Sequence, residues 1–282
     1  MKRSPTLSLF LDDYFAEAGK RLKPVSCGKI HELYVRCIGP RFGALRLDKI
    51  TTRAIAEWHG EMKETSTQAN RALAALSAVL SQAVRWSLID RNPCHGVRSF
   101  PESGRERYLT PEELAQVIVQ FDAHRETHPL EVAFLTLLLY TGARPGELQK
   151  ARWDWIQGRV IALPDAKRGP RRIYLPVSAL LILAELPRTG PLICPITYPR
   201  RLWERIRTAA GCPDVRIYDL RHTFASAALA SGQELALIGE LLGHRKAQTT
   251  KRYAHLMTAA GEDAAEKAAA FLNGMMAPGL NT

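Results

Sequence analysis

Between Arg98 and Arg107 the apolar periodicity of the chain stops: the stretch is polar, carries Pro101 and Gly104, and repeats nothing. A segment of that kind is a poor element and a good connector, so the patterns on its two sides are expected to bury separate cores. At 282 residues the chain is long enough for two such domains. The sequence therefore predicts a helical domain over 1–98, a linker over 99–107, a second domain over 108–260, and a closing helix with tail over 261–282.

The first domain reads as all-α. Thr6 precedes the apolar run Leu7-Ser-Leu-Phe-Leu, and Thr51-Thr-Arg-Ala-Ile starts another helix behind a threonine cap. From Ser66 to Trp86, residues Ala72, Leu73, Leu76, Val79, Leu80, Ala83 and Val84 recur at steps of three and four, the period of an amphipathic helix. Arg71, Gln82 and Arg85 lie among or beside that stripe and are candidates to face phosphate. The second domain reads as mainly α with a small β-sheet. It opens at Thr110-Pro-Glu-Glu, a capping box with proline in the first turn, and sets Leu114, Val117, Ile118 and Phe121 on one face. The apolar helix Leu130–Tyr140 stops at Thr141-Gly142. Two β-branched runs, Arg159-Val-Ile-Ala-Leu and Arg172-Ile-Tyr-Leu-Pro-Val, flank a basic turn and predict a hairpin with a wide loop. Helical patterns then return over 178–186, 199–210, 218–231, 233–242, 247–256 and 262–273.

Composition removes several function classes. Hydrophobic residues at 46% and charged residues at 24% describe a globular protein, and no apolar run reaches the ~18 residues of a membrane span. The N-terminus meets Asp12 and Asp13 after a few apolar residues and makes a poor export signal, so a cytoplasmic, nucleoid-associated place is expected. Five scattered cysteines, with no C-x-x-C pair, predict reduced thiols and no zinc ribbon. His124 and His128 have the spacing of a metal pair but fall where a helix runs out before Pro129, so no metal and no cofactor is expected. Trp153 and Trp155 are expected to pack on the sheet. The net charge of +11 is spread over both parts, with 16 Lys and Arg against 9 Asp and Glu up to residue 100 and 23 against 19 beyond. That balance points to a polyanionic partner.

Four stretches invite a chemical reading, because phosphodiester exchange needs a nucleophile, cations for the pentacoordinate phosphate and a proton donor for the leaving oxygen. Arg144 follows a buried helix in Thr141-Gly-Ala-Arg-Pro-Gly-Glu-Leu, where Glu147 is placed to orient it. Arg221 opens a helix in Tyr218-Asp-Leu-Arg-His-Thr-Phe. His244 closes Leu241-Leu-Gly-His, and Tyr253 follows nine residues on, while Lys167 occupies the hairpin tip.

This order resembles the tyrosine recombinase family of phage integrases and Xer-type recombinases, in strong form from about Tyr108 to Leu256 and more loosely before it. The resemblance implies an all-α core-binding domain ahead of an α+β catalytic domain. It implies a site-specific recombinase in which Tyr253 forms a 3′-phosphotyrosyl link and strand exchange passes through a Holliday junction. Lys167 would be the acid for the 5′-oxygen, and Arg144, Arg221 and His244 would hold the phosphate. The expected partners are double-stranded DNA and three further copies in a homotetramer on two DNA sites, with the 261–282 helix docking on a neighbour; no small-molecule substrate and no membrane are expected. Gln68, Asn70, Arg71 and Arg85 are the candidate DNA contacts, and no arm-binding domain is expected before residue 6. One position departs from the family, which usually has histidine where this chain has Tyr218, and a phenol that ionises near ~10 is a poor base at neutral pH. Two rivals stay open: a type IB topoisomerase-like nicking and resealing activity, and a DNA-binding regulator with this fold and no catalysis.

Overall fold

The computed structural model describes residues 4–102, 104–164, 170–244, 247–250 and 253, and the chain divides into two compact units, 1–104 and 105–282. The first unit is helical: α1 (Leu7–Ala18), α2 (Pro24–Leu33), α3 (Gly39–Phe42), α4 (Thr52–Glu61) and α5 (Ser66–Arg85). Thr6 and Thr51 accept from the backbone N–H three residues on and so cap α1 and α4. After α2 the chain widens into a π turn over Tyr34–Ile38, and the Gly39 N–H reaches the Tyr34 carbonyl. Pro40 explains the widening, because a ring nitrogen without hydrogen cannot continue the α ladder.

The core of this unit is set by α5, which buries Ala72, Leu73, Leu76, Val79, Leu80 and Ala83 against Leu7, Phe10, Phe42, Ile55 and Trp58. Trp58 meets Phe42 edge-on at 5.3 Å and donates its indole N–H to the Cys37 carbonyl. Gln82, expected on the phosphate side of α5, is instead buried and accepts from Arg21 at 3.4 Å; it lies on the packed face of α5 beside Ala83. Asn92 ties the end of the unit together: its amide donates to the Ser77 carbonyl and the Ser81 hydroxyl, and its oxygen accepts from Cys94 N–H.

The stretch read as a linker is held at both ends. Phe100 stacks on buried His59 at 4.3 Å, and its N–H and carbonyl both bond the Asn70 amide. In the second unit, Arg105 donates to Asp214 and Asp219, and Arg107 pairs with Asp214 and Glu113. Its charges are therefore anchors, a role that composition alone disguises as a solvated strand.

The second unit contains α6 (Pro111–His124), α7 (Pro129–Thr141), α8 (Pro145–Leu148), β1 (Ile156–Gln157), β2 (Val160–Leu163), β3 (Arg171–Tyr174), α9 (Val177–Glu185), α10 (Arg200–Ala209), α11 (Asp219–Ala230), α12 (Leu235–Leu242) and α13 (Ala247–Thr250). The Thr110–Glu113 capping box opens α6 as expected. The buried face of α6 is Val117 and Phe121 with Leu114 beside them; Ile118 turns outward. Helix α7 has apolar residues on nearly every side and becomes the central element, with Phe134, Leu135, Leu137 and Leu138 fully packed. The hairpin forms in antiparallel register with Ile161 opposite Ile173, and β1, too short to show a period, extends it to the order β1-β2-β3. Trp153 and Trp155 pack against this core, and Arg188 lies over the Trp153 ring at 4.7 Å.

The remaining structural expectations resolve simply. His124 donates to the Gln120 carbonyl and His128 accepts from Arg205, so each imidazole has a protein partner. The five cysteines are free, and burial pushes the Cys94 and Cys194 thiols up to about 12. No helix among the described residues is long and apolar enough to cross a membrane. The side-chain bonds of Asn92 predict that Asn92→Ala lowers stability by about 1–3 kcal/mol, read as a shift of the urea-unfolding midpoint followed by circular dichroism.

Candidate active site

Two helix ends build the site. Helix α7 stops at Gly142, whose φ of +59° and bond to the Leu138 carbonyl make a left-handed cap. No other residue fits there, because an added Cβ would lie 2.4 Å from the Phe224 ring. Helix α12 stops the same way at Gly243, φ +64°. Both turns leave backbone carbonyls at the negative end of a helix, and one side chain takes both: the buried Arg221 guanidinium donates to Gly142 O and Leu242 O, each at 2.6 Å. Burial, and next the charge of Arg144, pull its pKa down to about 10, which still leaves it cationic at neutral pH.

Arg221 also donates to Nε2 of His244 at 3.0 Å. That bond selects the tautomer, since a ring nitrogen that accepts carries no proton. The opposite nitrogen, Nδ1, then donates to the Thr250 hydroxyl at 2.9 Å. His244 thereby joins the turn after α12 to α13.

Arg144 sits at the start of α8, directly after the Gly142 turn. Its side chain reaches the Glu147 carboxylate at 2.8 Å, and its N–H bonds the other oxygen. Glu147 is largely buried and also pairs with Arg171. Arg171 points inward from β3 on the same face as Ile173 and donates to the Leu241 carbonyl. An added Cβ on Gly243 would come within 2.5 Å of Arg171 Nε, so the glycine also makes room for this guanidinium. Burial raises the Glu147 carboxyl, but Arg171 and Arg144 lower it further and leave it below its ordinary value. Burial holds Arg171 below its own ordinary value despite Glu147. Two guanidinium groups thus meet on one carboxylate, with Arg221 close enough to feel both of them, a local excess of positive charge suited to a phosphate.

Tyr218 stands at the start of α11, 41% exposed, with its ring edge-on to His222 at 5.6 Å. Tyr253 is buried among Ala225, Leu229, Ile238 and Leu242, and its hydroxyl lies 2.6 Å from Nδ1 of His222. Arg144, Arg221, His244, Tyr218 and Tyr253 are therefore brought to one region, while Lys167 and residues 261–282 lie outside the described residues. In the first unit, Arg71 and Arg85 are exposed, Gln68 contacts Cys37 and Asn70 is engaged with Phe100.

The profile of the phage integrase family matches residues 197–259, the stretch that holds Arg221, His244 and Tyr253. Over that stretch the chain is similar to the phage integrase family, whose relatives are integrases and tyrosine recombinases. Among curated relatives, the ICEBs1 integrase of Bacillus subtilis is 24% identical over 264 residues, covering 78% of this chain and 71% of its own length. The tyrosine recombinase XerC of Anoxybacillus flavithermus is 25% identical over 227 residues, covering 72% and 75%. In fold, the chain is similar to lambda integrase. A dimer of that integrase bound to a COC′ core site aligns with a TM-score of 0.74 at 20% identity, over 89% of this chain and 77% of the other. A tetramer of it bound to a Holliday junction aligns at 0.72 and 19% identity, over 88% and 78%.

Two residues of the site escape sequence reasoning. Arg171 is one of many arginines beside a hairpin, and only the fold turns it inward. His222 follows Arg221 in the chain and looks like an ordinary helix residue until Tyr253 arrives beside it. Glu147→Gln is expected to leave Arg171 buried without its counter-charge and to cost roughly 3–5 kcal/mol at neutral pH. A carboxyl whose folded pKa lies below its unfolded one stabilises above the unfolded value and loses that contribution as pH falls through the folded value. The stability difference between parent and variant should therefore shrink as pH drops below 4.5, which urea melts across a pH series will measure.

Proposed function

We propose that the protein is a site-specific DNA recombinase that cuts and rejoins strands through a 3′-phosphotyrosyl link on Tyr253. The observation that carries this reading is the cluster in which Arg221, His244 and the Arg144–Glu147–Arg171 network surround the two helix-end turns, with Tyr253 bonded to the residue next to Arg221.

The chemistry follows from those groups. The Tyr253 oxygen attacks the scissile phosphorus while the P–O bond to the 5′-oxygen breaks. Arg144 and Arg221 hold the non-bridging oxygens and His244 bonds the same phosphate, so the charge that develops meets donors already in place. Lys167, from the hairpin loop, protonates the leaving 5′-oxygen. The phosphotyrosyl ester conserves the energy of the broken bond, and attack by a 5′-hydroxyl reverses the step without a nucleotide cofactor. Residues 1–98 act as a core-binding domain and 108–260 as the catalytic domain, both gripping duplex DNA mainly through phosphates. In keeping with the core-site dimer and Holliday-junction tetramer of lambda integrase, four copies act on two sites. The exposed Arg71 and Arg85 are the stronger of the candidate DNA contacts, because Asn70 and Gln68 already bond within the unit.

The test is a nicked suicide duplex, built on the site that the Tyr253→Phe protein selects from a random-sequence duplex pool. The parent should form a covalent adduct, and Tyr253→Phe should bind and form none. An adduct that persists in Tyr253→Phe places the nucleophile elsewhere, and binding without any adduct in the parent favours a regulator. Supercoil relaxation with no recombinant product marks topoisomerase-like action. Arg144→Ala should slow adduct formation roughly 10²–10³-fold, as the loss of a transition-state donor does. Tyr218→Phe should slow cleavage without abolishing it.

A further inference from the structure

The geometry points to His222 as the base that takes the phenolic proton of Tyr253. This inference rests on the recombinase reading above and extends it to a residue that the reading leaves without a role. A phenol is mostly un-ionised at neutral pH, so attack on phosphorus requires that its proton go somewhere. In this family a histidine usually stands at the position Tyr218 occupies here, and a second phenol cannot serve as a neutral-pH acceptor. Four residues further along α11, one helical turn away, His222 places Nδ1 2.6 Å from the Tyr253 hydroxyl. A turn of helix puts residues i and i+4 on one face, and the Tyr218 and His222 rings are in edge contact at 5.6 Å. The imidazole that the Tyr218 position lacks is thus present on the same face of the same helix.

Three further observations fit a base. Both partners are buried, His222 at 5% and Tyr253 at 4% exposure, so bulk water does not compete for the bond. Arg221, the adjacent residue, fixes the phosphate-binding side of the same turn through Gly142 and Leu242. His244, the other imidazole among the described residues of the site, has Nε2 committed to Arg221 and Nδ1 to Thr250. In the Nε2–H tautomer of His222, the phenol donates to Nδ1. As the Tyr253 oxygen bonds to phosphorus, its proton passes to Nδ1 and leaves an imidazolium, while the leaving 5′-oxygen takes a proton from Lys167. In the rejoining step the 5′-hydroxyl gives its proton back to Lys167, the phenolate leaves, and the His222 imidazolium returns its proton to it. His222 touches a reacting atom and is a catalytic residue in this scheme.

The experiment uses the full chain and the nicked suicide duplex, with DNA binding and adduct formation measured separately. The parent must first form the adduct at Tyr253; if it forms none, the recombinase reading fails, a result distinct from failure of this inference. His222→Gln keeps a hydrogen-bonding side chain but no useful base, and should bind DNA like the parent while forming adduct roughly 10²-fold or more slowly. Trifluorotyrosine at position 253, whose phenol ionises near neutral pH, should recover at least about tenfold of that loss, because a more acidic nucleophile needs a base less. A parental adduct rate in His222→Gln, or a deficit that fluorination leaves unchanged, overturns the assignment. Should His222→Gln lose binding and cleavage together, the parental chain carrying trifluorotyrosine decides: no acceleration with His222 intact supports the base, and marked acceleration overturns it.

Discussion

A guanidinium buried between two helix ends organises the second unit. Arg221 bonds the carbonyls at the C-termini of α7 and α12, where the peptide dipoles leave partial negative charge. Removing a cation from water is costly unless its donors are met, and here they are met by carbonyls that would otherwise be orphans of their own helices. The interaction therefore works in both directions. It makes the burial of Arg221 tolerable, and it fixes the spacing of the two turns that carry Arg144 and His244. A short side chain at this position would leave Gly142 O and Leu242 O without their donor.

Around that link the charges are arranged to be completed by something anionic. Glu147 accepts from Arg144 and pairs with Arg171, which holds both guanidinium groups in place yet neutralises only part of their charge. A carboxylate in this position spares Arg144 the entropy of being ordered at the moment a ligand arrives, the sense in which such a site is preorganised. The same arrangement keeps three like charges close together, a repulsion that the carboxylate and the helix-end carbonyls offset.

The parts of this architecture that are local in sequence were legible in it. The Thr110 capping box, the stop of α7 at Thr141-Gly142, the hairpin, and the positions of Arg144, Arg221 and His244 after or before helix ends all follow from short-range rules of capping and period. What the sequence concealed was long-range. Arg171 and Glu147 meet across 24 residues and His222 and Tyr253 across 31, separations at which no periodic signal connects two side chains. Gln82 looked available because a polar residue beside an apolar stripe is ordinarily solvated, whereas packing around α5 encloses it. The 99–107 stretch looked like a free connector because arginines and acids are ordinarily solvated, and here Arg105 and Arg107 find Asp214 and Asp219, which the linear chain does not bring near, besides Glu113 in the next helix.

Gly243 shows how tightly such a site restricts its own variation. Its backbone lies in the left-handed region, which asparagine tolerates better than most residues other than glycine. Its missing Cβ is also the space into which Arg171 packs, and asparagine would fill that space. The backbone angle alone admits a second choice of amino acid, but the space taken by Arg171 admits glycine only. Packing of a neighbouring guanidinium thus restricts this position more tightly than its own backbone angle does.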